Sequence, residues 1–72
     1  MEILIFQTDI ASEEEVMHLK TVFNNHSDII NWSVDFEDID NVLRIEANSN
    51  LTENTVIKLV KKQKFNIKTM LD

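Results

Sequence analysis

The chain lacks cysteine, glycine, proline and tyrosine altogether, in a length of 72 residues. Because there is no cysteine, disulfides and thiolate ligands are both excluded, and the composition fits a cytoplasmic protein. Because there is no glycine or proline, asparagine, aspartate and serine are expected to form the turns. No apolar run reaches the roughly 18 residues that a transmembrane helix needs, so a membrane is not an expected partner. The apolar start of the chain has no basic residue before it and is expected to be a strand rather than a signal peptide.

The charge balance is acidic, with 13 acidic residues, seven basic residues and a net charge of −6. Phosphate binding needs a basic surface, so nucleic acid is not an expected partner. Residues 1–40 carry a net charge of −9 and residues 41–72 a net charge of +3. The glutamates of residues 13–15 and the lysines of residues 61–64 would each favour the dipole of a neighbouring helix end, and a charged contact surface is the alternative.

The pattern of apolar residues predicts one α+β domain covering residues 1–72. Strand-like composition or alternation occurs four times and helical spacing twice, in the order βαββαβ. This order predicts a ferredoxin-like sandwich, with both helices on one face of a four-stranded antiparallel sheet and the other face open. The predicted strands are residues 2–7, 31–37, 42–47 and 65–71, and the predicted helices are residues 13–25 and a segment that begins after residue 52.

Apolar periodicity also identifies the expected core. Trp32, the only tryptophan, is expected at the core or its edge, and an exposed interface anchor is the alternative. An asparagine in the left-handed conformation is expected to end the first helix, and Asn50 with Glu53 is expected to cap the second. The side chains expected on buried faces are Val16, Leu19, Val22 and Phe23 in the first helix, Trp32, Val34, Phe36, Leu43, Ile45 and Ala47 in the hairpin, and Val56, Ile57, Leu59 and Val60 in the second helix.

The phase of the first strand is left open by the sequence. If Leu4 and Phe6 face the helices, Ile3 and Ile5 face the open side of the sheet together with Val42. Single exposed apolar residues carry little meaning, but a continuous patch of them would favour association with another protein. Which face of the sheet Ile3 and Ile5 occupy therefore bears on function.

Ser12 and Glu15 form the helix-start pattern S-x-x-E directly before the first apolar helical run. In such a capping box the Ser12 hydroxyl accepts the N–H of Glu15, and the Glu15 carboxylate is expected to accept the N–H of Ser12. A cap of this kind typically stabilises a helix by about 1 kcal/mol. It would keep the preceding loop ordered without any bound metal.

Nearly the whole chain resembles the heavy-metal-associated (HMA) domains, the copper-chaperone-like family. In that family a first strand leads into a loop ending M-x-C-x-x-C, and the second cysteine opens the helix. Ile10 matches the apolar residue of the motif, and Ser12 and Glu15 fall on the two cysteines. Asp28 and Lys64 stand at two positions where family members habitually carry glycine. The resemblance implies the ferredoxin-like fold, and it implies a family that binds copper(I) or zinc and passes the metal to partner domains.

The two residues at the cysteine positions have the wrong chemistry for soft metals. Thiolates hold such ions through charge and polarisability, whereas the Ser12 hydroxyl is neutral and the Glu15 carboxylate is a hard ligand. We therefore predict that soft-metal binding is lost, with no metal site and no cofactor. Whether a hard cation binds weakly near Asp9 and Glu15, assisted by Glu13 and Glu14, is left open by the sequence.

No set of residues predicts an enzyme. His18 and His26 are not at metal-ligand spacing and have no nucleophile partner. A protonated His26 beyond the first helix would favour the helix dipole. Asp38 and Asp40 form a carboxylate pair, but aspartates in a turn more often bind the backbone. No catalytic or cofactor-binding residue is therefore assigned.

The leading interpretation is a small, non-catalytic, cytosolic HMA-like domain that has lost soft-metal binding and acts through protein contacts. Its expected partner is another protein or a second copy of the chain. The alternative is residual metal-ion binding or transport through oxygen or histidine ligands. A third possibility, a regulatory domain that binds a small molecule between sheet and helices, has no residue that marks a pocket.

Overall fold

The computed structural model describes residues 2–70 and contains six elements in the predicted order. Its four strands form one antiparallel sheet in the order β2-β3-β1-β4, which confirms the predicted ferredoxin-like fold. No helix in this part of the chain is long and apolar enough to cross a membrane. The elements are β1 (Glu2–Thr8), α1 (Glu13–Asn24), β2 (Ile29–Asp35), β3 (Val42–Ala47), α2 (Glu53–Lys62) and β4 (Ile67–Thr69).

The core lies between the two helices and one face of the sheet. Residues of both helices and of the two central strands form one buried cluster, so both helices cover the same face. Phe36, which alternation places on the buried face, is instead 37% exposed because β2 ends before it. The fully buried side chains include Phe6 of β1, Leu19 and Phe23 of α1, Leu43 and Ile45 of β3, and Val56 and Val60 of α2.

The structure fixes the phase of β1. Phe6 is fully buried and Leu4 packs against the core cluster, so these residues face the helices. Ile3 is 41% exposed and points to the other side of the sheet, as does Ile5, which alternates with Leu4 and Phe6. Ile3 and Ile5 therefore lie on the open face.

The open face does not carry a continuous apolar patch. Ile3 pairs with Glu46 of the neighbouring strand and Ile5 pairs with Arg44. Arg44 Nη1 donates to Glu46 Oε1 at 3.3 Å, so an ion pair lies beside the two isoleucines. This face is consequently a mixed surface and gives no support to self-association through the sheet.

Two strands differ from their predicted ranges for local reasons. Strand β2 lies two residues earlier than predicted, because the Asp35 carboxylate accepts the N–H of Glu37 at 3.0 Å and turns the chain. Strand β4 is shorter than residues 65–71, because the N–H of Phe65 bonds the Val60 carbonyl at the end of α2. Residue 71 lies outside the described residues.

Two predictions about the ends of the helices are wrong. Asn25, which follows α1, has φ −88° in the right-handed region, so the predicted left-handed asparagine is wrong at this position. Helix α2 is capped by Thr52, whose hydroxyl accepts the N–H of Thr55 at 3.2 Å, rather than by Asn50 with Glu53. Leu51 is buried in the core directly before the helix. Because its burial fixes where the chain enters the helix, the next residue, Thr52, becomes the cap.

The left-handed turn expected after α1 is found after α2. Lys64 has φ 69°, and its N–H bonds the Lys61 carbonyl at 2.9 Å. The N–H of Phe65 bonds the Val60 carbonyl at 3.4 Å, which completes a Schellman ending. A lysine therefore adopts the backbone conformation that glycine adopts without steric cost, at a position where the resembled family has glycine.

Candidate functional site

Three loops meet at one end of the sheet, which is referred to below as the loop end. The antiparallel order makes β1 and β2 end there, while β3 and β4 begin there. The family resemblance places its metal-binding residues in the first of these loops, so this end is the candidate site. The loops are residues 9–12 before α1, residues 36–41 between β2 and β3, and residues 63–66 between α2 and β4.

Ser12 and Glu15 are hydrogen-bonded to one another at the start of α1. Ser12 Oγ accepts the N–H of Glu15 at 3.3 Å, as predicted, and donates to Glu15 Oε1 at 3.2 Å. Glu15 Oε1 also accepts the N–H of Ala11 at 3.0 Å, so the predicted return bond to the N–H of Ser12 is wrong by one residue. The two side chains that the resemblance aligns with cysteines thus bond the loop and each other.

The first loop is anchored to the hairpin loop through β1. Ile10 is fully buried, and its N–H donates to Thr8 Oγ1 at 3.2 Å. Thr8 Oγ1 donates in turn to the carbonyl of Asn41 at 2.6 Å, and Gln7 Nε2 donates to Asp40 Oδ1 at 2.9 Å. These bonds connect residues 33 positions apart and fix the hairpin loop beside the candidate site.

Asp9 is bound to Asn66 in the third loop. Its two carboxylate oxygens accept the backbone N–H and the side-chain amide of Asn66, each at 2.9 Å. The N–H of Asp9 also donates to the Asn66 carbonyl at 3.3 Å. The sequence does not predict the role of Asn66, because no local pattern connects two residues 57 positions apart. The Asp9 carboxylate, which the sequence left open as a ligand for a hard cation, therefore serves as a clamp between loops.

The remaining titratable candidates do not converge. His18 is exposed on α1, while His26 Nδ1 accepts the N–H of Asp28 at 3.2 Å. This bond gives the His26 ring a structural role in the turn after α1. Asp38 Oδ1 accepts the N–H of Asp40 at 2.9 Å, which is the turn-forming role.

Trp32 lies at the edge of the core, as predicted. Its ring meets Phe23 edge to face, with centroids 5.0 Å apart and an interplanar angle of 76°. Its indole Nε1 donates to Asn24 Oδ1 at 3.1 Å. The side chain is half-buried, so one part of the ring faces the surface between α1 and β2.

At the loop end, the oxygens Ser12 Oγ, Glu15 Oε1 and both carboxylate oxygens of Asp9 accept hydrogen bonds from the protein. Within residues 2–70, no group of three or more histidine, aspartate or glutamate side chains is arranged to hold a metal ion. Glu13 and Glu14 lie exposed in the first turn of α1, where they favour the positive end of the helix dipole. The arrangement forms an ordered, acidic surface in which Asp9 and Glu15 act as hydrogen-bond acceptors.

Comparisons with solved structures identify the same fold in metal-handling proteins. A structure of the CsoZ metallochaperone has a TM-score of 0.77 and 18% sequence identity, over 93% of this chain and 96% of that chain. A chain of the Atx1–Cu(I)–Ccc2a complex, determined in solution, has a TM-score of 0.84 and 8% identity, over 100% of this chain and 99% of that chain.

Sequence comparisons add no relative to this structural likeness. No protein-family model matches the chain. No curated protein matches it in sequence either. With identities of 18% and 8%, the two structures show the architecture over nearly the full length of the chain. A shared fold does not by itself imply a shared activity. The chain has an HMA-like, copper-chaperone-like fold that contains no cysteine.

Proposed function

We propose that the chain is a non-catalytic domain that does not hold soft metal ions and acts through contacts with another protein. The observation that supports the first part is the hydrogen bonding of Ser12 and Glu15. Their side chains bond each other and the N–H groups of Ala11 and Glu15, at the positions where the resembled family has its cysteines. Local bonds thus order the loop, and metal ligation is not needed to hold it.

The chemistry of these donors supports the same conclusion. Copper(I) and zinc at such a site are held by thiolates, which are charged and polarisable. Ser12 offers a neutral hydroxyl, and the Glu15 carboxylate already accepts two hydrogen bonds through Oε1. A metal ion at Glu15 Oε1 would compete for this oxygen with the N–H of Ala11 and the hydroxyl of Ser12.

The clamp between Asp9 and Asn66 engages a second carboxylate of the loop end. Both Asp9 oxygens accept hydrogen bonds from Asn66, and the N–H of Asp9 donates back to it. A cation at Asp9 would compete with these hydrogen bonds between the first and third loops. The cost of leaving donors without partners opposes hard cations here as well.

Calorimetric titration of the protein with copper(I) and with zinc tests the loss of metal binding. We expect no binding tighter than about 100 μM, and a dissociation constant of about 1 μM or lower would overturn the proposal. Elemental analysis of protein purified without chelators extends the test to hard cations. A stoichiometric metal in that sample would replace the proposal with residual metal binding through oxygen or histidine ligands.

The second part of the proposal, action through protein contacts, is supported by retention of the scaffold without its ligands. The Atx1–Cu(I)–Ccc2a structure is a complex, so a chain of this fold is found in an assembly. The loop end of this chain is ordered by bonds among its three loops and remains a defined surface. Sedimentation of the purified protein, combined with crosslinking in its native lysate, tests this part. A strictly monomeric protein that crosslinks to nothing would contradict it.

A further inference from the structure

Charge divides the loop end into two halves of opposite sign. Helix α1 contacts the edge strand β2 and helix α2 contacts the other edge strand, β4, so the start of α1 and the end of α2 lie on opposite sides of this end. The first half is the first turn of α1 with the loop of residues 36–41, and its exposed charged side chains are Glu13, Glu14 and Glu37. The second half is the last turn of α2 with the loop of residues 63–66, and its exposed charged side chains are Lys61, Lys62 and Lys64.

These charges point to solvent from an ordered surface. Within residues 2–70, the glutamates of the first half and the lysines of the second form no ion pair with one another. The loops that carry them are fixed by other hydrogen bonds, from Gln7 to Asp40 in the first half and from Asn66 to Asp9 in the second. A partner therefore meets charges on a surface that is already organised, which lowers the entropy lost on binding.

A second copy of the chain fits this charge pattern better than a partner of one sign does. A purely basic or purely acidic partner complements only one half of the loop end. When two copies meet at their loop ends across a two-fold axis perpendicular to the sheet, the β2 side of each copy faces the β4 side of the other. One symmetry operation thus places the start of α1 against the partner's α2 end twice.

The net charge of −6 on each copy acts against this contact only at long range. At about 0.15 M salt, charges more than about 8 Å apart are largely screened, so the opposite charges that touch have the larger effect. The loop of residues 36–41 also exposes two large apolar side chains, Phe36 at 37% and Ile39 at 94%. Removing part of their surface from water favours the same contact.

We infer that two copies of the chain associate through their loop ends, with the acidic start of α1 in each copy against the basic end of α2 in the other. The inference rests on the proposed function, since it names the partner and the surface of the protein contact. It does not involve the open face of the sheet.

Sedimentation of the native chain at low and high salt tests the electrostatic contact. We expect a dimer whose dissociation constant rises at least about tenfold between about 0.05 M and 0.5 M salt. A chain that stays monomeric up to about 1 mM protein, the range of the weakest specific complexes, would overturn the inference. A dimer that is indifferent to salt would overturn it as well.

A charge exchange between the two halves tests which surfaces meet. The first variant is Glu13→Lys with Glu14→Lys, and the second is Lys61→Glu with Lys62→Glu. Each variant alone brings like charges together at both contacts, so each is expected to dimerise at least about tenfold more weakly than the native chain. Mixing the two variants restores opposite charges at both contacts, and we expect a heterodimer with an affinity within about threefold of the native dimer. A mixture that stays monomeric would overturn the inference.

The matched control is Glu2→Lys with Glu53→Lys, at the opposite end of the sheet. Like the first variant it raises the net charge by four, from −6 to −2, and Glu53 also lies in the first turn of a helix. Net charge alone predicts tighter dimers for both of these variants. We expect the control to dimerise at least as tightly as the native chain and the first variant to dimerise more weakly. Equal dimerisation of the two would contradict contact at the loop end.

The outcomes separate failure of the inference from failure of the proposed function. If the native chain is monomeric but crosslinks to a different protein in its lysate, protein contact stands and the second copy is the wrong partner. If the native chain dimerises and neither charge variant alters the dimer, association uses another surface and only the inference fails. The loss of soft-metal binding is tested by calorimetric titration and does not depend on either result.

Discussion

The start of α1 and the turn after α2 are two places where the resemblance indicates a departure from the family pattern, and the two places differ in kind. At Ser12 and Glu15 the new side chains form hydrogen bonds that order the loop themselves. At Lys64, where the resemblance indicates glycine, the backbone has a positive φ of 69°, which favours glycine. Ser12 and Glu15 order the loop through their own hydrogen bonds. Lys64, by contrast, adopts its left-handed conformation at a steric cost.

The difference shows what each position must provide in this fold. The start of α1 needs acceptors for free backbone N–H groups, and oxygen side chains supply them. The end of α2 needs a left-handed residue so that Phe65 can bond back to the Val60 carbonyl. The need for acceptors at the start of α1 is chemical, and several residue types meet it. The need for a left-handed residue after α2 is steric, and glycine meets it best.

Introducing two cysteines at the start of α1 should have the largest effect. The double variant Ser12→Cys with Glu15→Cys places one thiol at the end of the first loop and one in the first turn of α1, at the positions that the resemblance assigns to the ligands. We expect copper(I) affinity to rise by more than about a thousandfold over the native chain, because thiolates select this ion. Competition against a chromogenic copper(I) chelator measures the change.

The control for that experiment is the pair of single variants, Ser12→Cys and Glu15→Cys. Each supplies one thiolate, and each is expected to fall far below the double variant. A double variant that binds no better than a single one would show that the loop, fixed by Ile10 and the Asp9–Asn66 clamp, no longer has the geometry of a metal loop.

Removing the cap at the start of α1 should have the next largest effect. Ser12→Ala deletes the acceptor for the N–H of Glu15 and the donor to its carboxylate, so we expect a loss of about 1 kcal/mol in the free energy of unfolding. Urea denaturation measures it. Thr52→Ala at the start of α2 deletes the same type of cap and is expected to cost a similar amount. An unchanged stability in Ser12→Ala alone would mean that the cap does not hold the loop.

The smallest expected effect is a gain in the free energy of unfolding. Lys64→Gly removes the steric cost of the left-handed conformation, which is about 1–2 kcal/mol for an L-residue, and adds backbone freedom to the unfolded chain. The net expectation is a stabilisation of about 0.5 kcal/mol, measured in the same urea experiment. Lys64→Ala is the matched control, because it removes the charge and the side-chain stem but keeps Cβ. Equal stability of the glycine and alanine variants would contradict the steric explanation.

The fold was predictable because two periodicities run through the chain. The spacing of Leu19 and Phe23 and the alternation of Leu43 and Ile45 each identify a buried face, and the structure buries all four. The start of a helix was less predictable where several neighbouring residues could each serve as its N-cap. Residues 49–55 contain several possible caps, and burial of Leu51, a tertiary effect, decides for Thr52.

The candidate site was predictable only in its local part. The bond from the N–H of Glu15 to Ser12 follows from their spacing, and the structure contains it. Asn66 and its clamp on Asp9 were beyond prediction, because the two residues meet only through the pairing of β1 with β4. The surface beside Trp32 likewise depends on how α1 lies against β2, which no periodicity specifies.

The clamp between Asp9 and Asn66 has a consequence for how the loop end opens. The amides of Ile10 and Asn66 lie in loops, yet both donate to side chains of residues held by the sheet or by another loop. Amide exchange at these two positions should therefore slow to a common rate and accelerate together in Asp9→Ala. That result would show that the first and third loops open together as one cooperative unit, held closed by the clamp between Asp9 and Asn66.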